Sequence, residues 1–249
     1  ALPISTAWRD KRVTTFEEKD ATKIEVVSKT RGRMVLSRPE AGDAGPAPEW
    51  RIVESSVKVE PFDKSMATDL IGGFTSLTAD DFADEAKPEE TGLDNPENTV
   101  TVTLRDGKAY KVLFGLKKKD KEDTYIKLAD NPQVYLISKY TAGRVNKRPI
   151  DFRDKTICNL TSSEITEVSV TREKDSFVLS KTPGKTGDDA WKLTKPAGVT
   201  LDTSKVSNIL NGFSDWKANN FAEDNALKPA GLDKPKITIS AKSNVKGHS

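Results

Sequence analysis

The sequence contains an internal repeat, which restricts the chain to folds that build one unit twice. With an offset of 139 positions, residues 63–96 align with residues 202–235 without a gap. Identical residues include a corner motif, TGLDNP in the first copy and AGLDKP in the second. Three upstream correspondences keep the same order: Trp50 with Trp191, Ile24 with Ile165, and residues 34–39 with 177–183. A shared order at nearly one spacing indicates a duplicated unit.

Each copy begins with segments in which apolar and polar residues alternate, the period of a half-buried strand. These segments are KIEVVSK and RMVLSRP in the first copy, and EITEVSVT and SFVLSK in the second. A third predicted strand carries the tryptophan, and a helix with one apolar face follows. Asp63 and Asp202 stand where a side-chain oxygen would cap that helix. Gly73 and Gly212 lie within the helical pattern, which we interpret as close packing of helix on sheet.

The corner motif has the residues of a structural turn. Its glycine allows positive φ, its leucine is expected to anchor the turn in the core, and its proline fixes the entry into the next strand. The aspartate is expected to bond forward to backbone amides, rather than to act as a catalytic acid. The predicted structural markers of the repeat are Trp50, Trp191, Gly92, Leu93, Asp94, Pro96, Gly231, Leu232, Asp233 and Pro235.

The first copy continues after the corner with four β-like runs, TVTVTLRDG, AYKVLFGL, DTYIKLA and QVYLISK, which predict an antiparallel meander. The second copy reaches only KITISAKSNVKGHS, about where its first hairpin would turn back. We therefore predict an α+β fold of two tandem repeats. Each has a mainly antiparallel sheet with one main helix packed on it, and the second repeat is incomplete. The predicted units are residues 1–158, with an N-terminal extension, and 159–249.

Composition excludes several functional classes. A formal net charge of +2 in a chain that is 31% charged gives no excess of cations for nucleic acid. One cysteine, Cys158, forms no intramolecular disulfide, and the single histidine, His248, lies in a tag-like tail. Catalysis that depends on an imidazole base therefore has no candidate residues, and a zinc site lacks its usual ligands. We expect no catalytic residue, no metal and no cofactor.

Two clusters are candidates for binding. The acidic residues Asp80, Asp81, Asp84 and Glu85 could hold a hard cation, although a solvated surface explains them as well. Three tyrosines of the meander, Tyr110, Tyr125 and Tyr135, form a candidate binding surface for glycans or a protein. Core and cross-strand packing explains alternating tyrosines equally well.

The order of these features resembles the bacterial domain of unknown function 4340, in which such units occur in tandem. The residues that carry the resemblance are Trp50, Trp191, the two GLD corners, YKVLFG at 110–115, VYLIS at 134–138 and FRDKTI at 152–157. The resemblance implies an extracytoplasmic envelope protein with an N-terminal membrane anchor that this sequence lacks. It also implies association with ABC-type transport systems, and it supplies no catalytic residues.

The expected function is that of a non-enzymatic interaction or scaffold module, an accessory protein of a transport or envelope machine. We expect protein partners, bound through sheet edges, a cleft between the units or the exposed meander. We expect no nucleic acid, and membrane contact only through the anchor. The alternative is a glycan- or lipid-binding protein, or a hydrolase that uses carboxylates.

Overall fold

The structure, a computed structural model, describes residues 8–39, 48–119, 121–173, 175–186, 190–221 and 228–244. The chain divides into two compact units, Ala1–Asp154 and Lys155–Ser249. Each unit has its own cluster of buried apolar side chains. The chain is therefore an α+β protein of two tandem units, the fold class that the repeat predicts.

The described strands of the first unit form one antiparallel sheet. They are β1 (Ala21–Ser28), β2 (Gly32–Ser37), β3 (Arg51–Ser55), β4 (Asp81–Phe82), β5 (Asn98–Leu104), β6 (Ala109–Lys117), β7 (Thr124–Leu128) and β8 (Tyr135–Ile137). Their order across the sheet is β3-β2-β1-β5-β6-β7-β8-β4. The four runs predicted after the corner are β5 to β8, and each pairs with the next. The predicted meander is confirmed.

Three α-helices accompany this sheet in the described part of the first unit: α1 (Lys64–Phe74), α2 (Pro88–Thr91) and α3 (Lys139–Val145). The Asp63 side chain accepts a hydrogen bond from the Ser65 amide at 2.9 Å, so the predicted N-cap of α1 is confirmed. The apolar face of α1 is buried with the sheet in one core, in which Trp50, Phe74 and Phe114 are among the largest fully buried side chains.

The two adjacent glycines of α1 have different surroundings. A Cβ on Gly73 would lie 2.8 Å from the Cγ1 atom of Val145 in α3. Gly73 therefore allows close packing of helix on helix, rather than of helix on sheet as expected from the sequence. A Cβ on Gly72 would meet nothing within 4 Å. The second-copy counterpart, Gly212, lies at a helix C-cap, where the nearest atoms are carbonyl oxygens of its own last turn.

Alanine substitutions at these two glycines are expected to have opposite effects. Gly72→Ala should raise the free energy of unfolding by up to about 1 kcal/mol, because alanine restricts the unfolded chain and favours the helix. Gly73→Ala should lower it, because the β-branched Val145 has little rotamer freedom to move away. Urea denaturation of the two variants tests this pair, and a stabilised Gly73→Ala protein would contradict the packing argument.

The described strands of the second unit are β9 (Thr156–Cys158), β10 (Ile165–Arg172), β11 (Asp175–Lys181), β12 (Trp191–Lys195), β13 (Trp216–Lys217) and β14 (Ile237–Ser243), with one helix, α4 (Thr203–Asn211). The main sheet has the order β12-β11-β10-β14, which repeats the order β3-β2-β1-β5 of the first unit. Asp202 caps α4 through the Ser204 amide at 3.1 Å, as Asp63 caps α1.

The short strand β9 pairs with β13, which follows α4. Residues 156–158 therefore lie in the second unit, whereas the sequence prediction placed the boundary after Cys158. Apolar side chains of α4 and of the turn after it are buried in the core of the second unit, including Val206, Leu210 and Phe213. The second unit thus reproduces the first half of the sheet of the first unit, together with its helix.

The strand pairing corrects one predicted correspondence. Ile24 pairs with Val102 on β5. Val168 pairs with Ala241, the residue 139 positions after Val102. Ile24 therefore corresponds to Val168, and the alignment of Ile24 with Ile165 is wrong. The offset is larger at the first strand than at the helix because the connections between strands in the second copy are shorter.

Candidate functional site

Both tryptophan markers lie in the cores, as predicted. Trp50 is 2% exposed and Trp191 is 6% exposed. The guanidinium of Arg38 lies over the Trp50 ring, 4.7 Å from its centroid, and its Nε donates to the Ala21 carbonyl at 2.8 Å. The guanidinium and the ring are buried together, so this contact stabilises the packing of the segment that leads into β3 against the rest of the sheet.

The corner motifs have the predicted backbone. Gly92 has φ 64° and Gly231 has φ 70°, the left-handed conformation that favours glycine. The Asn95 amide closes the first turn by donating to the Gly92 carbonyl at 3.3 Å. Pro96 and Pro235 follow, and the next strands begin shortly after them. The side chains of Asp94 and Asp233 are exposed.

The two leucines of the corners differ, and the prediction for Leu232 is wrong. Leu93 is 4% exposed and packs in a cluster with Tyr125 of β7 and Leu136 of β8. Leu232 is 61% exposed. The physical reason is that the described residues of the second unit contain no counterparts of β7 and β8, so this leucine has no cluster to enter.

The tyrosines do not form the candidate binding surface. Tyr125 and Tyr135 are 5% and 6% exposed, and burial raises the pKa of both phenols. Tyr110 is half-buried, stacks on Phe16 with ring centroids 5.6 Å apart, and donates its hydroxyl to the Thr15 carbonyl. Tyr125 packs with Leu93 and Leu136, and Tyr135 packs on the ring of Phe82, 5.5 Å between centroids. The tyrosines therefore follow the packing alternative.

The acidic run serves a structural contact. Asp84 forms an ion pair with Arg9 and accepts a 2.9 Å hydrogen bond from the Gln133 side chain. The hydrogen bond from Arg9 lowers the pKa of Asp84. Among the residues that the structure describes, no group of three or more His, Cys, Asp or Glu side chains could hold a metal ion. His248 and half of the second-copy counterpart of the acidic run lie outside the described residues.

The motif FRDK is itself repeated, a correspondence that the sequence interpretation missed. WRDK at 8–11 precedes FRDK at 152–155 by 144 positions. In both copies the lysine carbonyl accepts from an alanine amide 2.8 Å away, and the lysine ammonium donates to the carbonyl of the next residue. The partners are Ala79 and Asp80 for Lys11, and Ala218 and Asn219 for Lys155. The signal was present in the sequence as a shared three-residue RDK.

An apolar opening on the described surface lies in the second unit, at the edge of its sheet. Among the described residues, β14 pairs only with β10, so its other edge carries no strand. Four bulky apolar side chains near this edge are exposed by 42% to 56%: Ile157, Trp216, Ile237 and Ile239. Clustered apolar side chains of this size at a surface mark sites of interaction.

Two hollows lie on either side of Trp216. One, of about 460 Å³, is lined by β9, β13 and β14 through residues that include Ile157, Leu160 and Ala241. The other, of about 310 Å³, lies between α4 and the sheet, beside Ile209. Phe213, Trp216 and Ile239 line both hollows. We call the two hollows with the adjacent edge of β14 the open groove.

In the first unit the equivalent region is closed. Val100, the counterpart of Ile239, is fully buried, and Leu77, the counterpart of Trp216, is 2% exposed. The side chains that cover this region come from the later strands, including Phe114, Ile126 and Ile137. The open groove is therefore lined by apolar side chains whose counterparts are buried in the core of the first unit.

No helix in the described part of the chain has the length and hydropathy needed to cross a bilayer.

Comparison with family models gives a match to Domain of unknown function (DUF4340) over residues 4–96 and 63–235. The two matched ranges overlap and together span most of the chain, as expected for tandem units. No significant match was found among curated proteins or among solved structures.

Proposed function

The chain belongs to the family Domain of unknown function (DUF4340), and from this premise we propose that it is a non-enzymatic interaction module outside the cytoplasm. In this role it is an accessory protein or scaffold of an ABC-type transport or envelope machine. The observation that carries the proposal is the open groove, where Ile157, Trp216, Ile237 and Ile239 are 42% to 56% exposed.

The chemistry of the groove supports a protein partner. Its lining is mostly aliphatic and aromatic, and the polar side chains in it are Thr156, Cys158, Asn159 and Asn208. A binding site for a sugar would need several convergent polar groups, and a carboxylate hydrolase would need two facing acids. Apolar side chains that surround an aromatic anchor are instead typical of the centre of a protein interface.

Affinity capture tests this proposal. The 249-residue chain is immobilised, incubated with solubilised envelope membranes of a bacterium that encodes it, and the bound proteins are quantified by mass spectrometry. We expect enrichment of ABC-transporter subunits. Ile157→Asp should abolish the enrichment, because it places a charge inside the apolar lining of the groove.

The matched control is Val53→Asp. Val53 is 59% exposed on β3 of the first unit, so the same charge is introduced at a comparably exposed strand residue that does not line the groove. This variant should retain the enrichment. Recovery of polysaccharide or lipid without transporter subunits would contradict the proposal and favour the glycan- or lipid-binding alternative.

A further inference from the structure

A second kind of hollow, of about 290 Å³, opens on the second unit beside the tryptophan of β12. Two buried apolar side chains, Trp191 and Leu210, form part of its lining. Its polar lining combines one ammonium, four hydroxyl groups and one carboxamide: Lys181, Ser162, Ser163, Thr186, Ser207 and Asn211. A small number of polar groups that converge over apolar side chains is typical of a small-molecule site. We call this opening the polar hollow.

The repeat shows which residue stands in the first unit where Ser162 stands in the second. Strand β1 begins at Ala21 and β10 begins at Ile165, 144 positions later. The turn before each strand is closed in the same way. The amide of residue 20 donates to the carbonyl of residue 17, the amide of residue 164 donates to the carbonyl of residue 161, and both bonds are 3.0 Å long. With this offset, Ser162 is the counterpart of Glu18.

The strand pairing likewise identifies the counterpart of Lys181. Leu36 pairs with Ile24, and Leu179 pairs with Val168, the counterpart of Ile24. The residue two positions after Leu36 is Arg38, and the residue two positions after Leu179 is Lys181. Each cation therefore lies beside the tryptophan of its own unit, and the two positions can be compared directly.

In the first unit the cation has a carboxylate partner within the chain. Arg38 is buried, its guanidinium lies 3.9 Å from the Glu18 carboxylate, and it donates to the carbonyls of Glu18 and Ala21. In the second unit a serine replaces the glutamate and the shorter lysine replaces the arginine. Lys181 is half-buried, and its ammonium donates to the Ser163 carbonyl at 3.4 Å, longer than a typical hydrogen bond.

The second unit therefore keeps the positive charge but lacks the acid that accompanies it in the first unit. Among the described residues, no acidic side chain lines the polar hollow. A half-buried ammonium is stabilised by an anion, because a charge outside bulk water is costly unless it is paired. The comparison of the two units indicates that this anion comes from a ligand.

The end of α4 beside the hollow does not oppose an anion with open carbonyl groups. The amides of Gly212, Phe213 and Ser214 donate to carbonyls of residues 208–211, the last four of the helix. These bonds satisfy the backbone acceptors that a helix C-terminus otherwise exposes. The last helical residue, Asn211, lines the hollow with a side chain that can donate from its amide group.

We propose that the polar hollow binds the phosphate group of a phosphorylated polyol or sugar. The Lys181 ammonium is a point charge with three donors, which suits a phosphate oxygen. The hydroxyls of Ser162, Ser163 and Thr186 donate to other oxygens of the group, and the organic part lies over the apolar lining. The inference goes beyond the proposed function and is independent of it, because the polar hollow and the open groove share no lining residue.

A titration followed by nuclear magnetic resonance tests the site. The ¹⁵N-labelled 249-residue chain is titrated with glycerol 3-phosphate in a phosphate-free buffer, and separately with inorganic phosphate and with glycerol. We expect saturable shifts of the amide signals of Ser163, Lys181 and Thr186 with the ester, weaker binding of inorganic phosphate, and none of glycerol. Added sodium chloride should weaken binding by screening the charge. Absence of saturable shifts would overturn the proposal, and equal affinity for the ester and the free ion would contradict the assigned ligand class.

The role of the cation is tested by Lys181→Gln. Removing a charged hydrogen-bond donor should weaken glycerol 3-phosphate binding by about tenfold or more. The matched control is Lys185→Gln, which removes the same charge from an exposed lysine four residues later that does not line the hollow. The control should change the affinity by less than about threefold. Equal losses in the two variants would mean that only the general positive charge matters, and would overturn the site.

Ser162→Glu is the most selective test, because it places in the second unit the acid that the first unit has. The new carboxylate should pair with Lys181 and abolish ester binding at concentrations that saturate the unsubstituted chain. The matched control is Thr200→Glu, which adds the same charge at an exposed residue that does not line the hollow, and it should retain binding. Amide spectra show whether each variant is folded. A folded Ser162→Glu protein that binds the ester as before would overturn the proposal.

Vesicles distinguish the two sources of such a phosphate group. The chain is sedimented with vesicles of phosphatidylglycerol, whose headgroup contains glycerol phosphate, and the Lys181→Gln and Lys185→Gln variants are compared. Sedimentation that is lost only in Lys181→Gln would support the site and assign the phosphate to a lipid headgroup. Binding of the soluble ester without sedimentation would support the site and assign it to a soluble phosphorylated compound.

Discussion

Replacing Gly115 with valine is expected to lower the free energy of unfolding of the first unit by about 3 kcal/mol or more. A Cβ at this position would meet the Thr91 carbonyl oxygen at 2.0 Å and the Leu93 side chain at 3.1 Å. The oxygen belongs to the backbone at the end of α2, next to the left-handed Gly92, so it has little freedom to move. Valine adds two further methyl groups to this contact.

Hydrogen exchange followed by mass spectrometry measures the effect separately in fragments from β5, β6 and β7. Exchange in these strands should accelerate in the variant, because the corner and β6 cannot both keep their positions. The control is Lys111→Val, which introduces the same residue at an exposed position of the same strand. Valine is favourable in strands, so this control should be nearly neutral. Equal exchange rates in the two variants would show that the corner can shift to accept the added side chain at little cost in stability.

The features that could be predicted from the sequence are those that depend on neighbouring residues. Asp63 and Asp202 cap their helices because each side chain reaches an amide two residues away. Gly92 and Gly231 adopt positive φ because the turn itself requires it. The meander follows from alternation and turn residues within about ten positions. For such features, the two copies of the repeat show the same local structure twice in one chain.

Burial that depends on distant strands could not be predicted in this way. Leu93 and Leu232 stand in nearly identical motifs, yet one is 4% exposed and the other 61%. The difference arises from β7 and β8, which begin 31 and 42 positions after Leu93. Similarly, alternation places Tyr125 and Tyr135 on one side of their strands, but it does not say which side faces the core.

The kind of candidate site, a sheet edge, could be predicted from the sequence, but the residues that form it could not. Binding through sheet edges was among the expected modes, and the exposed apolar side chains lie at β14, the edge strand of the described sheet. The particular residues require the register of β14 on β10, which brings Ile239 beside Trp216. Register is set by strand bulges and loop lengths, and the correspondence of Ile24 was misassigned for the same reason.

Replacing Trp50 with alanine is expected to lower the free energy of unfolding of the first unit by about 3–5 kcal/mol, the usual cost of truncating a large buried aromatic side chain. Trp50 is 2% exposed, and the variant would lose both its packing and the contact with the Arg38 guanidinium. The buried Arg38 would then lie beside a cavity, so part of the cost comes from a cation that has lost its ring.

Trp50→Phe separates packing from hydrogen bonding. Within the described part of the chain, the Nε1 atom of Trp50 has no hydrogen-bond partner, so phenylalanine removes no bond and relieves one unpaired buried donor. Phenylalanine also keeps a ring beneath Arg38. We expect Trp50→Phe to cost much less than Trp50→Ala in urea denaturation monitored by circular dichroism.

Trp191→Ala tests whether the two tryptophans have the same role. Trp191 is 6% exposed, in a smaller buried cluster than that of Trp50. Its substitution should cost less than Trp50→Ala but more than about 2 kcal/mol, because a smaller core can collapse further into the space that is left. Hydrogen exchange in β10 and β11 measures this cost within the second unit. Unchanged exchange there would mean that the repeat preserves the tryptophan without preserving its contribution to the core.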